Sequence, residues 1–487
     1  MERLIYIRIF RHKYLDFLFF IGLILLFIGI GMSIANDKLF SFQTAFLLAI
    51  LVSLGFLVNP EKWFWLIPVA ILLPLHLGDV AGIPRFSVKE IAIPLFFMAL
   101  LAREVVKRDF LKILSIRHNP LNLPVFFFFA VVFLNYFRRP LMPANLLGLP
   151  SEMGGLRTYY KFFLGISAYT IGLYVWSYWH EEVKKTLKLM LYFSIFLCLL
   201  GISMHIFNFA LPGIEIMRWS VYRLSYGAVR IGFIGGFGQL GLLLLLANPI
   251  RFRWRFLKYI LGFLFTLSLF LSGGRAVVVA TSVAILVWLF MKKRHLLFTS
   301  TLIALIAIYL SLPVIYSFAP SPQLRRLADI RSMQESSIGR YYIYKYGMSE
   351  FLKYPLFGTG LGKTYNVSEN LPVPSDFLEG QLRMGGHATY VALLKNFGLV
   401  GFLPYIAILV VAFVNCFKMG RTRTFNRKWH LELVQIPEIA TFLGLYIVAY
   451  AVGCVAGGDG ASIFFYFVLG MIGALVSLRN NTIGEQR

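Results

Sequence analysis

Charged side chains make up only 14% of this 487-residue chain, and acidic ones are the scarcer kind, 22 against 47 lysines and arginines. That is too little polar surface for a soluble globule, and the class is excluded on composition alone. Cysteine is nearly absent: Cys198, Cys416 and Cys454 stand in or beside apolar runs, without metal-ligand spacing and with no message about redox chemistry. No strong internal repeat and no disordered linker is visible. No cleavable signal sequence is visible: the first apolar run follows Arg3, Arg8, Arg11 and Lys13 and continues too long, so it reads as a first anchor.

What the chain has is hydrocarbon: 59% hydrophobic residues, 17% aromatic, and a mean hydropathy of +0.74. Apolar runs recur with the length of a helix that crosses roughly 30 Å of lipid while satisfying its own backbone. About 14 candidates centre near residues 24, 50, 71, 95, 130, 168, 198, 240, 264, 284, 306, 408, 447 and 470. The stretch after His387 can be read as one long broken helix. The expected fold is an all-α polytopic membrane protein of about 12–14 transmembrane helices with one large, partly helical extracytoplasmic loop. It divides into residues 1–316 with about 11 spans, the loop at 317–386, and a C-terminal span region at 387–487.

The net charge of +25 is distributed in a way that speaks of topology rather than nucleic acid. With a cytoplasmic N-terminus, the clusters Arg103/Lys107/Arg108/Lys112, Lys184/Lys185/Lys188, Arg251/Arg253/Arg255, Lys292/Lys293/Arg294 and Lys418/Arg421/Arg423/Arg427/Lys428 all fall on one side. This is the positive-inside pattern. It predicts a multi-pass protein of a plasma membrane with both termini cytoplasmic and the loops near 138–156, 211–230 and 317–386 outside, where the unusual arginines gather. Nucleic acid is not expected as a partner.

The loop from Ser317 to Gly386 is too long to be structureless. Within it Ser337 to Lys353 reads as an amphipathic helix capped by Ser336 or Ser337, its tyrosines suited to a membrane interface. The run Phe357 to Thr364 imitates a phosphate-cradling nucleotide loop, but Phe357 stands where that pattern needs glycine, and no strand precedes it. Its glycines are read instead as letting a turn pack closely. After Gly385-Gly386, a hinge-like pair, comes His387, whose imidazole can exchange a proton near neutral pH.

Gly339-Arg340, then Tyr354-Pro355-Leu356-Phe357-Gly358-Thr359-Gly360-Leu361-Gly362, then His387 followed eleven residues later by Gly398-Leu399-Val400-Gly401, together resemble the O-antigen ligase and polymerase family of bacterial envelope enzymes. Ser272-Gly273-Gly274-Arg275 is similar to the family's Ser/Arg/Gly turn, and Arg230 to its arginine before a Gly-rich span. The likeness extends over about residues 220–475. Ala388 and Gln239 depart from it, standing where relatives usually carry a polar amide or hydroxyl and an asparagine. The resemblance implies a metal-independent, cofactor-free, GT-C-like glycosyltransferase of the bacterial inner membrane. It would take a glycan from undecaprenyl diphosphate, at an extracytoplasmic site, and pass it to a glycan or lipid A core acceptor.

Such a donor carries at least two negative charges, and guanidinium forks match phosphate oxygens. Arg230, Arg275 and Arg340 are the candidate diphosphate ligands, with Arg157, Arg218, Arg223 and Arg383 in reserve. His387 is the candidate general base. Asp459, in a Gly-Asp-Gly turn between the last two spans, is a further candidate to assist or replace it. The competing class is a lipid-linked oligosaccharide flippase or other transporter, which predicts paired broken helices in two similar halves and charges at mid-membrane. The polar residues of this chain gather on one side instead.

Overall fold

The computed structural model describes residues 66–72, 88–106, 119–138, 154–178, 181–207, 221–223, 229–231, 233–250, 255–318, 327–361, 389–421, 436–456 and 462–484. Along them run α1 (Leu66–Leu72), α2 (Val88–Val106), α3 (Asn122–Arg138), α4 (Gly154–Tyr178), α5 (Glu181–Ile206), β1 (Val221–Arg223), β2 (Val229–Ile231), α6 (Phe233–Ala247) and α7 (Arg255–Leu271). There follow α8 (Arg275–Met291), α9 (His295–Leu310), α10 (Leu312–Phe318), α11 (Ile330–Lys353), α12 (Thr389–Arg421), α13 (Ile436–Ala456) and α14 (Ile463–Gly484). Helices dominate, as expected. Twelve of the apolar centres read from the sequence fall inside them, and those near 24 and 50 lie outside the described residues.

Two details depart from the sequence reading. A short antiparallel pair, β1 against β2 with Tyr222 opposite Arg230, interrupts the all-α pattern. Its alternation of Val, Tyr and Ile suits a strand and is too short to form a helical face. The amphipathic helix α11 begins at Ile330, so Ser336 and Ser337 lie inside it rather than capping it. Met333, Gln334 and Glu335 favour helix and carry it back toward Asp329, a residue type suited to the position before a first turn.

Three described helical stretches are long and apolar enough to cross a membrane: Lys185–Ile206, Thr389–Arg421 and Ile436–Val455. The pair α9 and α10 joins them if taken as one span bent by 60°. Five apolar helices are shorter, including α3, α7 and α8 at 17 residues each, about 25 Å of rise.

α14 lies at the centre. Phe465 through Leu469, Met471, Ile472 and Ala474 are all fully buried along it. It crosses α4 at backbone distance: a Cβ on Gly470 would stand 2.3 Å from the Tyr169 carbonyl, and one on Gly172 would stand 2.6 Å from that of Phe467. Small residues at such crossings allow the contact that drives helix association in lipid. An aromatic layer ties α3, α4, α12, α13 and α14 together. Phe128 meets Phe162, Phe397 and Tyr405, Phe129 meets Tyr466, and Tyr450 stacks on Phe465 at 3.9 Å.

Candidate active site

α12 is a broken helix. Gly398 adopts φ 63° and ψ −164°, outside anything a side chain tolerates, and splits it into a short first half from Thr389 and a long second half. A helix broken inside a protein leaves carbonyls on one side and N–H groups on the other without partners, and these must be satisfied. The turn that follows α11 supplies them. Thr359 N–H donates to the Lys395 carbonyl at 2.7 Å and Gly360 N–H to that of Asn396 at 2.9 Å. In the other direction Leu399 N–H donates to Pro355 at 2.8 Å and Val400 N–H to Leu356 at 3.1 Å.

This interlock explains both glycine motifs. Gly358 has φ 67°, and a Cβ there would stand 2.4 Å from the Asn396 carbonyl carbon; one on Gly398 would stand 2.2 Å from the Leu356 oxygen. A Cβ on Gly401 would press on Phe397 at 2.4 Å. The imitation of a nucleotide loop is thereby resolved, since the Thr359 and Gly360 amides, which a phosphate would need, are held by carbonyls. The glycines do let a turn pack closely, against a helix break.

The broken helix also brings candidate segments together. Tyr390, in the first turn of α12, donates to the Ala451 carbonyl at 2.8 Å, and Tyr344 of α11 donates to that of Val455 at 3.0 Å. Ala451 and Val455 are one turn apart on α13, about 6 Å. Arg340 lies one turn before Tyr344 on α11, half-buried, and its charge acts on that phenol, opposing the burial that raises the Tyr344 pKa. His387 lies outside the described residues, three positions before Tyr390 in the chain; Asp459 is outside them as well, four positions after Val455. Arg340 therefore stands on the helix that meets the same end of α13 as the turn that follows His387.

Arg275 is built differently. Ser272 is fully buried; its Oγ donates to the Leu269 carbonyl at 2.7 Å and accepts from Gly274 N–H at 3.2 Å, while Gly273 turns at φ 63°. α8 starts directly after this turn, and Arg275 reaches from its first residue to the Asp329 carbonyl at 3.0 Å, at the start of α11. About 16 Å of helix then separates that anchor from Arg340. Below the turn, Gln239 of α6 donates to Thr281 Oγ1 of α8 at 2.9 Å. Arg230 sits in β2, Arg223 in β1 and Arg157 in the first turn of α4; for these three the structure describes the backbone only. Arg218 and Arg383 lie outside the described residues.

Several side chains of the site escaped the sequence reading. Lys395 and Asn396 are buried in the first half of α12 although they interrupt an apolar run, and that interruption was the available signal. Thr359 is fully buried and its Oγ1 backs up its own amide at the Lys395 carbonyl, 3.2 Å away. Asn135 of α3 donates to the Phe357 carbonyl at 3.0 Å, and nothing in the sequence signals a bond across 222 positions.

No curated protein matches the chain. Residues 260–406 match the family model described as O-antigen ligase, a narrower stretch than the motif residues suggested, which leaves Arg230 and Asp459 beyond its ends. Over that stretch, from the α8 turn through α11, the glycine loop and the break at Gly398, the chain is similar to the O-antigen ligase family.

Proposed function

We propose that this protein is a membrane glycosyltransferase of the GT-C type that takes a glycan from undecaprenyl diphosphate at the extracytoplasmic side of a bacterial inner membrane. The acceptor is a sugar hydroxyl, of a further repeat unit in a polymerase or of a lipid A core in a ligase. The observation that carries the reading is the meeting of Tyr344 and Tyr390 on one end of α13, which sets the Arg340 turn of α11 beside the helix that opens after His387. A base and a cation on neighbouring turns are what a phosphate-leaving displacement requires.

In the proposed step the imidazole of His387 accepts the proton of the acceptor hydroxyl. The oxygen attacks the anomeric carbon, the new glycosidic bond forms, and the bond from that carbon to the diphosphate oxygen breaks with its electron pair. Charge growing on the leaving diphosphate is met by Arg340, with Arg275 and Arg230 as further ligands, each presenting a planar fork of donors. A single displacement of this kind inverts the anomeric centre. Arg157, Arg218, Arg223 and Arg383 are held as secondary candidates, and Asp459 as a group that orients or replaces the base.

His387→Ala in proteoliposomes supplied with the lipid-linked donor is expected to abolish transfer while leaving the protein folded; full transfer by this variant refutes the assignment. Ladders of growing product from protein and donor alone identify a polymerase, and a single transfer that needs added core lipid identifies a ligase. Ala388, in place of the polar residue usual in ligases, favours the first.

A further inference from the structure

α3 meets the glycine loop at Phe357 in two ways. Asn135 Nδ2 donates to the Phe357 carbonyl at 3.0 Å, and the guanidinium of Arg138, one turn on, lies over the Phe357 ring at 5.5 Å. Phe357 is followed by Gly358, which packs on the carbonyl of Asn396, and preceded by Leu356, which accepts from Val400. Whatever holds Phe357 therefore holds the loop on the break of α12.

Asn135 is 4% exposed, on a helix made mostly of Phe, Val and Leu, and its Oδ1 is buried with no hydrogen-bond partner among the described residues. A buried amide with one half unsatisfied is a poor choice for stability, because leucine has nearly the same shape and leaves no polar atom stranded. Its single bond is directional, however, and no apolar residue supplies that. We propose that Asn135 is a positioning residue: it fixes the glycine loop against the helix break and so sets the half-helix that opens beside His387. This rests on the transfer reaction proposed above for its consequence, though not for its geometry.

The test uses the full chain in proteoliposomes with two readouts. In the first, Val391, 5% exposed on the half-helix, is replaced by cysteine, and its reaction with a maleimide is timed. The native Cys198, Cys416 and Cys454 are all buried and contribute little background. Asn135→Leu is expected to speed labelling on the order of tenfold, as befits loss of one buried donor, and Asn135→Gln, which keeps the donor, to restore part of the protection. Unchanged labelling in Asn135→Leu overturns the proposal, whatever the protein's activity. In the second, initial rates against undecaprenyl-diphosphate glycan are expected to show a lower kcat with KM for the donor unchanged; a raised KM at constant kcat overturns it. If Asn135→Leu fails to accumulate, Asn135→Ser and Asn135→Asp carry the same measurements. Failure of all three to insert assigns the residue to folding and overturns positioning. Faster labelling in a protein that transfers nothing to begin with leaves the clamp standing and sinks the transferase reading instead.

Discussion

Gly398→Ala is the sharpest perturbation of the interlock. The native backbone at φ 63° and ψ −164° lies in a region that essentially only glycine occupies, so alanine there carries about 1–3 kcal/mol of strain. Its methyl would also stand 2.2 Å from the Leu356 oxygen, 2.3 Å from the Leu356 carbonyl carbon and 2.6 Å from the Phe357 nitrogen, all backbone atoms with no rotamer to yield. The loop must back away, and four backbone hydrogen bonds stretch with it, each contributing about 0.5–1.5 kcal/mol. Strain together with two of those bonds comes to about 2–6 kcal/mol of local stability, or roughly thirtyfold to ten-thousandfold in the opening equilibrium. Hydrogen exchange followed by mass spectrometry on peptides spanning 354–361 and 396–402 reads this directly. Gly453→Ala is the control, because a Cβ there meets nothing within 4 Å and the residue lies inside α13. Exchange in both peptides that stays at the wild-type rate in Gly398→Ala refutes the interlock as the account of these glycines.

Other outcomes follow from the same geometry. Gly470→Ala places a methyl 2.3 Å from the Tyr169 carbonyl and 2.7 Å from the Leu173 nitrogen, so α4 and α14 must part and the detergent-solubilised protein is expected to lose several degrees in a thermal scan; an unchanged melting profile counts against that crossing. Arg275→Lys keeps the charge but gives up the planar fork that reaches Asp329, and exchange at the start of α11 is expected to rise on the order of tenfold, whereas equal exchange means the 3.0 Å contact does not hold that end. If His387 is the base, it must be unprotonated to act, so transfer is expected to be lost as pH falls through about 6.5 and to plateau above it. A flat profile from pH 5.5 to 7.5 removes the imidazole from the proposed step.

The helices were legible because lipid imposes one requirement on every span, and the centres near 95, 130, 168, 198 and 240 could be placed from apolar run length alone. The break in α12 was legible as well, since the stretch after His387 reads as one long broken helix, and the structure puts the break at Gly398. Hidden from the sequence was what the two glycine motifs do to each other. The Thr359 amide and the Lys395 carbonyl carry no side-chain signature, being the same atoms in every residue, and only the fold brings 359 and 395 into register. The start of α11 was misplaced for a related reason. Ser336 and Ser337 have the chemistry of a cap, but a serine inside a helix loses little when the residues before it favour the same state. Asn135 was invisible because an asparagine among phenylalanines has no period to betray it.

α11 joins the two halves of the candidate site mechanically. Its first residue follows the Asp329 carbonyl that Arg275 holds, its middle is tied to α13 by Tyr344, and its last turn runs through Tyr354 into the loop that seals α12. From Ile330 to Lys353 it spans 24 residues, about 36 Å. The first half of α12 ends where α11 ends, at the interlock, so positions on the two helices can be compared by counting back from it. Nine residues back from Gly398 is Thr389, and nine back from Lys353 is Tyr344, in agreement with the bonds of Tyr390 and Tyr344 to neighbouring turns of α13. Counted the same way, the Arg275 anchor at Asp329 lies about 22 Å further along α11 than the Tyr344 level, while Arg340 lies about 6 Å from it. On the proposed reading, a diphosphate held by Arg340 would lie about one helical turn from the level where α12 opens. Arg275 reaches the same diphosphate only if its donors extend along α11, and Arg340→Ala should accordingly impair transfer more than Arg275→Ala does. The reverse order would move the phosphate to the α8 turn and detach the chemistry from the α12 half-helix.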